Sequence, residues 1–266
     1  MGPLKRHRRE RLRRRPFPSA WRTILERTFP RYVRLPLEDQ RELEGLIQIF
    51  LAEKRFEGAV GLAINDEIRV TIAAQACFLL LHRDTGVYPG LYSIIVYPED
   101  YVARHERRNE AGLIDEGVQV RRGEASGRGA IALSWNSALQ GASDVRDCHN
   151  VVFHEFAHQL DLESGSFDGA PLLPERSMYL AWARTLSDDW RTLRARADRR
   201  EVTDLDPYGA ENPAEFFAVV TECFFQRPHQ LRSSHPELYA ELERFYRQDP
   251  ASSGPPAQSG PAPGLS

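Results

Sequence analysis

Apolar residues in this 266-residue chain fall into a few strong periodicities separated by polar stretches. From Leu37 to Lys54 an acidic start gives way to Leu43, Leu46, Ile47, Phe50 and Leu51. Steps of three and four line one face of a helix, so a helix packed on the core is predicted there. Asn65-Asp66-Glu67 offers an N-cap and an acidic first turn, which predicts a second helix through about Leu81. Leu91 to Tyr97 (LYSIIVY), stopped by Pro98, reads as a buried strand. Gly117 to Arg122 alternates, and Gly129 to Trp135 (GAIALSW) is strand-like again. The glycine- and serine-rich residues between them predict a hairpin with a long loop. Val151 to Leu162 shows Val152, Phe156 and Leu160 at helical spacing, with Phe153 and Ala157 beside them. Tyr208 to Phe225 holds a further helix, capped by Asn212, with Pro213 in the first position and Phe216, Phe217, Val220 and Phe224 on its apolar face.

Charge changes the picture only at the start. Residues 1–15 carry about +7, against −3 for the whole chain, so the remainder stands near −10. An arginine-rich arm could touch nucleic acid or an anionic membrane surface. No apolar stretch follows the charge, so neither a secretory nor a twin-arginine signal is expected, and residues 1–18 are read instead as a basic, disordered tail. From Asp249 the chain turns to proline, glycine, serine and alanine, so residues 250–266 are expected as a second disordered tail. Residues 19–249 then form one domain. No apolar run approaches a membrane span. Cys77, Cys148 and Cys223 are odd in number and widely spaced, which predicts no disulfide framework and suits a reducing cytoplasm.

The chemistry concentrates in the Val151–Leu162 helix. His154-Glu155-Phe156-Ala157-His158 is an H-E-x-x-H pattern, and four residues make about one helical turn. Both imidazoles therefore leave the same face, close enough to share one zinc ion. Glu155 falls beside the metal, where a general base must stand to take a proton from water. The pattern also arises by chance in helices that bind nothing. Here the helix back is apolar, so a core helix would bury two histidines and two carboxylates, which needs a reason. Asp161, three residues beyond His158, is a candidate acceptor for a histidine ring; the alternative is a solvated charge in the last turn.

Two histidines do not complete a catalytic zinc site. Asp161 and Ser164 stand where the longer H-E-x-x-H-x-x-G-x-x-H motif needs glycine and histidine, so this is not a metzincin. A glutamate from the Tyr208–Phe225 segment can supply the third ligand. Glu215 and Glu222 lie seven apart on a shared face, and spacing leaves both open. Glu215 could instead close a capping box with Asn212, and Glu222 could support the motif helix as a buried carboxylate.

Taken together, NVVFHEFAHQLD, YGAENPAEFFAVVTECFF and the FYRQDP stretch at Phe245 to Pro250 resemble the glucose-regulated metallopeptidase family, that of Mlc titration factor A. The resemblance runs from about Leu37 to Pro250 and includes the IALSW strand. The family is of gluzincin type, with a catalytic module similar to that of anthrax lethal factor. The resemblance implies His154, His158 and Glu215 as ligands of one zinc ion, Glu155 as catalytic base, and Tyr208 as the tyrosine that stabilises the oxyanion. It also implies an α+β, zincin-like domain, in which a small, mostly antiparallel sheet covers the motif helix beside a helical C-terminal half.

The expected function is zinc-dependent hydrolysis of peptide bonds, linked through the family to regulation of sugar uptake. Residues Ala130, Ile131, Ala132, Leu133 and Ser134 are the candidate strand edge for pairing with an extended peptide or protein substrate. The alternative is a regulator that binds and sequesters a glucose-responsive transcriptional repressor and needs no turnover. A third reading, nucleic-acid binding by the basic arm, has no interleaved aromatics or recognised fold behind it.

Overall fold

Two helices that contribute side chains to one cluster, and a small sheet beside them, organise the chain. The structure is a computed structural model. It describes residues 2–84, 86–108, 114–121, 123–126, 129–143 and 147–252, so the C-terminal stretch from residue 253 lies outside the described residues.

The N-terminal third is helical: α1 (Pro3–Arg13), α2 (Ser19–Thr28), the short α3 (Arg31–Arg34) and α4 (Leu37–Glu53). The basic arm is therefore not a tail over residues 3–13. Helix α1 packs on α4, and Arg9, itself buried, clamps Glu53 with Nε–Oε1 at 2.7 Å and a second contact of 2.6 Å. A two-pronged arginine–carboxylate pair is a geometrically exacting contact that charge counting along a sequence cannot reveal. Helix α4 lies where its periodicity predicts, with Leu43, Leu46, Ile47, Phe50 and Leu51 buried.

Strand β1 (Arg55–Gly58) leads to α5 (Asp66–Phe78), whose Asn65 cap accepts from the Ile68 amide at 2.9 Å. After β2 (Ser93–Tyr97) the chain runs through β3 (Tyr101–Arg108), β4 (Ile114–Arg121), β5 (Gly123–Ser126) and β6 (Ala130–Ser134). The main sheet has the order β1-β2-β6-β5. Strands β1, β2 and β6 are mutually parallel, and β5 alone is antiparallel to its neighbour. The expected mostly antiparallel sheet is thus corrected. Parallel neighbours need a long crossover: α5 lies between β1 and β2, and between β2 and β6 the chain passes through β3 and β4 and enters the sheet at β5, antiparallel to β6. The expected hairpin is corrected as well, because β4 pairs with β3 in a separate antiparallel ribbon.

The edge expected at Ala130, Ile131, Ala132, Leu133 and Ser134 is not an edge. These residues form β6, paired with β2 on one side and β5 on the other. Both of its ladders are occupied, and among the described residues the free edge beside it falls to β5. Trp135, expected to end the strand, instead begins α6 (Trp135–Ser143).

The C-terminal half comprises α7 (Val151–Leu162), α8 (Met178–Asp198), a 3-10 turn (Pro207–Ala210), α9 (Pro213–Gln226), α10 (Pro228–Ser234) and α11 (Pro236–Tyr246). Helix α7 presents its apolar back to the core: Phe156 meets Phe50 at 5.7 Å and Tyr88 at 4.7 Å between ring centroids, and Phe153 meets Phe225 at 5.4 Å. Helix α9 is buried almost all round, so the two helices are held against each other by the core itself. Cys148 and Cys223, 75 residues apart, are joined as a disulfide with their Cα atoms 4.6 Å apart. This overturns the expectation of unpaired cysteines, and cysteine counting no longer argues for a reducing compartment. Cys77 stays free and buried. Among the described residues, no helix is long and apolar enough to cross a membrane.

Candidate metal centre

Helix α7 starts at Asn150, whose side chain accepts from the Phe153 amide at 2.9 Å. The amide nitrogen of the same side chain donates to Gln75 Oε1 and to the Gly141 carbonyl, both at 2.9 Å. This cap sets the start of the helix, and the helical repeat then brings His154 and His158 together with ring centroids 4.8 Å apart. Helix α9 begins in the same way, with Asn212 accepting from the Glu215 amide at 3.0 Å. The Glu215 carboxylate lies on the histidines: Oε2 is 3.0 Å from His154 Nε2 and 3.3 Å from His158 Nε2.

Spacing left Glu215 and Glu222 as alternatives, and in the folded chain they take different atoms of one ring. Glu222 Oε1 accepts from His154 Nδ1 at 2.7 Å, and its other oxygen accepts from the Asn150 backbone amide. One carboxylate thus ties the start of α7 to the ring that α7 presents. With Nδ1 donating to Glu222, Nε2 is the nitrogen turned toward Glu215.

Asp161 does not support a histidine ring as expected. It is fully buried and its Oδ2 accepts from the Gly169 amide at 2.8 Å, so it anchors the loop that follows α7. Burial pushes its carboxyl up to about 6. The Gly169 carbonyl in turn accepts from Trp182 Nε1 at 3.0 Å. Gly169 has φ of +76°, and a Cβ there would stand 2.4 Å from the Pro213 carbonyl oxygen at the start of α9. Only glycine lets the loop sit this close to the helix that carries Glu215.

Glu155 is buried on α7, one position beyond the first histidine. Tyr208 lies in the 3-10 turn, positioned by Asp206, which accepts from its amide at 2.8 Å. Its ring is 5.9 Å from that of His154. Sequence reading missed two contributors. Asn150 was legible as a capping residue just before a periodic run. Phe167, in the loop after α7, packs its ring on His158 at 4.8 Å, and the only signal was one aromatic in a polar Ser-Gly-Ser-Phe-Asp-Gly stretch.

Electrostatics follow from this packing. Burial works against charge on His154, but Glu222 and Glu215 outweigh it and hold the imidazole well above its ordinary range. For His158 burial dominates and lowers the value. Burial would raise Glu215, yet its hydrogen bonds to both imidazoles hold it far below the usual carboxylate range, so it stays ionised. His154, His158 and Glu215 each offer a ligand atom, all within 4.8 Å of one another. Two imidazole nitrogens and one ionised carboxylate oxygen, converging in a buried cluster, are a donor set that suits zinc.

This helix pair, with its H-E-x-x-H cluster and a glutamate from the second helix, defines a metallopeptidase-type domain. Residues 4–247 match the profile of the family described as glucose-regulated metallo-peptidase M90, and the chain belongs to that family. The chain is 38% identical over 244 residues to an uncharacterized protein of Synechocystis sp., covering 91% of this chain and 89% of that one. It is 32% identical over 216 residues to the Mlc titration factor A of Pectobacterium atrosepticum, covering 80% of each chain. The Mlc titration factor A of Edwardsiella ictaluri is 33% identical over 218 residues, covering 80% of this chain and 82% of its own. The family implies a metal, and the match begins inside α1, so the basic helix is part of what is shared.

Proposed function

We propose that the chain is a zinc-dependent peptidase in which His154, His158 and Glu215 hold the metal and Glu155 is the general base. The observation that carries this reading is the convergence of His154 Nε2, His158 Nε2 and Glu215 Oε2, with Glu155 adjacent on the same helix. A zinc ion bound by such a set keeps a coordination position open, polarises a carbonyl and brings the pKa of a water towards neutrality. Glu155 takes the proton from the attacking water and passes it to the leaving amine. The Tyr208 hydroxyl donates to the oxyanion that develops on the scissile carbonyl. Glu222 keeps the His154 ring in one tautomer and one orientation. The open edge of β5 takes the role first expected of β6 and pairs by main-chain hydrogen bonds with an extended peptide.

The test is hydrolysis of short chromogenic peptides and amino-acid anilides by wild type and Glu155→Gln, both zinc-loaded. The expected result is turnover that a chelator abolishes and that the variant loses by about 10²–10⁴-fold, with its metal content unchanged. Equal turnover by the two proteins would overturn the mechanism.

The name Mlc titration factor A carried by two relatives favours a second role, titration of the Mlc repressor. That role needs a surface and no hydrolysis, and it belongs in the cytoplasm, where such a repressor works. Sedimentation of the zinc-loaded wild type with the repressor separates the two: intact repressor held in a stable complex supports titration, and cleaved repressor supports the peptidase.

A further inference from the structure

Phe167 lies in the loop that follows α7. Its ring leans on the face of His158, centroid to centroid 4.8 Å, yet 46% of the residue remains exposed. The loop that carries it is built to hold it there. Asp161 fixes Gly169 from the α7 side, and Trp182 holds the Gly169 carbonyl. The backbone at Gly169 lies against Pro213 at the head of α9. Ser164 Oγ donates back to the Asp161 carbonyl at 2.8 Å and pins the near end of the loop. The loop is thus clasped between the two helices that carry the candidate ligands. An aromatic side chain is left half open beside one of the ligand rings.

We infer that Phe167 forms the apolar wall of a substrate subsite and selects an aliphatic or aromatic side chain next to the scissile bond. The inference rests on the peptidase reading. In an extended peptide, neighbouring residues are only about 3.4 Å apart along the chain. A residue flanking the scissile carbonyl therefore carries its side chain within reach of a ring that touches a ligand of the cluster. Covering the exposed ring with an apolar side chain removes apolar surface of both partners from water, whereas glycine or aspartate leaves the ring wet. Tyr208 lies beside the other ligand ring but carries a hydroxyl, so the purely apolar contact falls to Phe167.

The test uses quenched-fluorescent peptides that differ only in the residue on either side of the scissile bond, leucine or phenylalanine against glycine or aspartate. Even one methylene in a fitting hydrophobic pocket is worth about 10- to 200-fold in discrimination. Wild type is expected to favour the apolar peptides by at least about tenfold on one side of the bond. Phe167→Ala should keep its zinc and bring that ratio to within a few-fold, chiefly through KM, and Phe167→Leu should recover most of it. The same peptides are also titrated calorimetrically into zinc-loaded Glu155→Gln, with and without Phe167→Ala. This reads the preference without turnover. An unchanged ratio in Phe167→Ala would overturn the inference. So would an equal loss for every peptide accompanied by loss of zinc, since the ring would then merely shield His158. Absence of turnover in wild type, with a binding preference that disappears in the double variant, would sink the peptidase reading and leave the subsite standing. No binding preference in Glu155→Gln would sink the subsite.

Discussion

Among the described residues two clusters bring histidine and carboxylate side chains together, and they are built differently. His154, His158 and Glu215 form the first; Asp39, Glu42 and His82 form the second, and each offers three ligand atoms within 4.8 Å. The first sits on two helices, with His158 buried, His154 largely shielded and its ring turned by Glu222. The second is more exposed and brings a single histidine to two carboxylates. His82 Nε2 is 2.8 Å from Asp39 Oδ1, while Nδ1 is 3.1 Å from the Arg247 carbonyl oxygen, which can only accept. Nδ1 therefore donates to the carbonyl and Nε2 is left facing a carboxylate, as in His154, but one exposed imidazole stands here where the first cluster converges two. Burial lowers the His82 pKa, but Asp39 and the carbonyl outweigh it and the net value is raised. The difference teaches that residue types and proximity do not define a metal site. What separates these two is burial and a second imidazole turned to the same carboxylate.

The largest effect that should separate the clusters is His158→Ala. It is expected to abolish stoichiometric zinc binding, and with it the rise in melting temperature on adding zinc to the wild type, since metal that binds only the folded chain stabilises it. Retention of one zinc per chain would break the ligand assignment. Glu222→Gln comes next. It keeps the shape of the side chain but replaces one of two acceptors, and a loss of about 10- to 100-fold in zinc affinity is expected from competition with a chelating dye. An unchanged affinity would mean that His154 does not depend on its carboxylate for orientation.

His82→Ala should give the smallest effect. Zinc stoichiometry is expected to stay unchanged, and the stability loss in urea to remain below about 1 kcal/mol, because the pair is substantially exposed. Its pH dependence identifies it. The His82 pKa is higher folded than unfolded, so its contribution is fully present below about 6.5 and is lost as pH rises through the folded value. Wild type minus His82→Ala should therefore shrink with rising pH across that window. A difference that grew with pH would contradict the ion-pair account.

The residues that make the site were legible in the sequence because their signals are local. Helical spacing brings His154 and His158 to one face, Asn212 and Pro213 mark where α9 begins, and Phe156 and Leu160 mark which side of α7 is buried. Helix α8 was not anticipated, since among its 21 residues only Trp182, Leu186 and Leu193 are buried. Sequence alone determined the H-E-x-x-H helix and narrowed the third ligand to two glutamates. The tertiary structure decided that Glu215 meets the Nε2 atoms while Glu222 takes Nδ1, a choice set by how α9 packs on α7. It likewise decided the direction of the sheet, the exclusion of β6 from the edge, the docking of α1 through Arg9 and the joining of Cys148 to Cys223. The physical reason is range: periodicity and caps depend on residues three or four apart, whereas strand direction, ion pairs and ligand choice depend on where distant segments re-enter the same core.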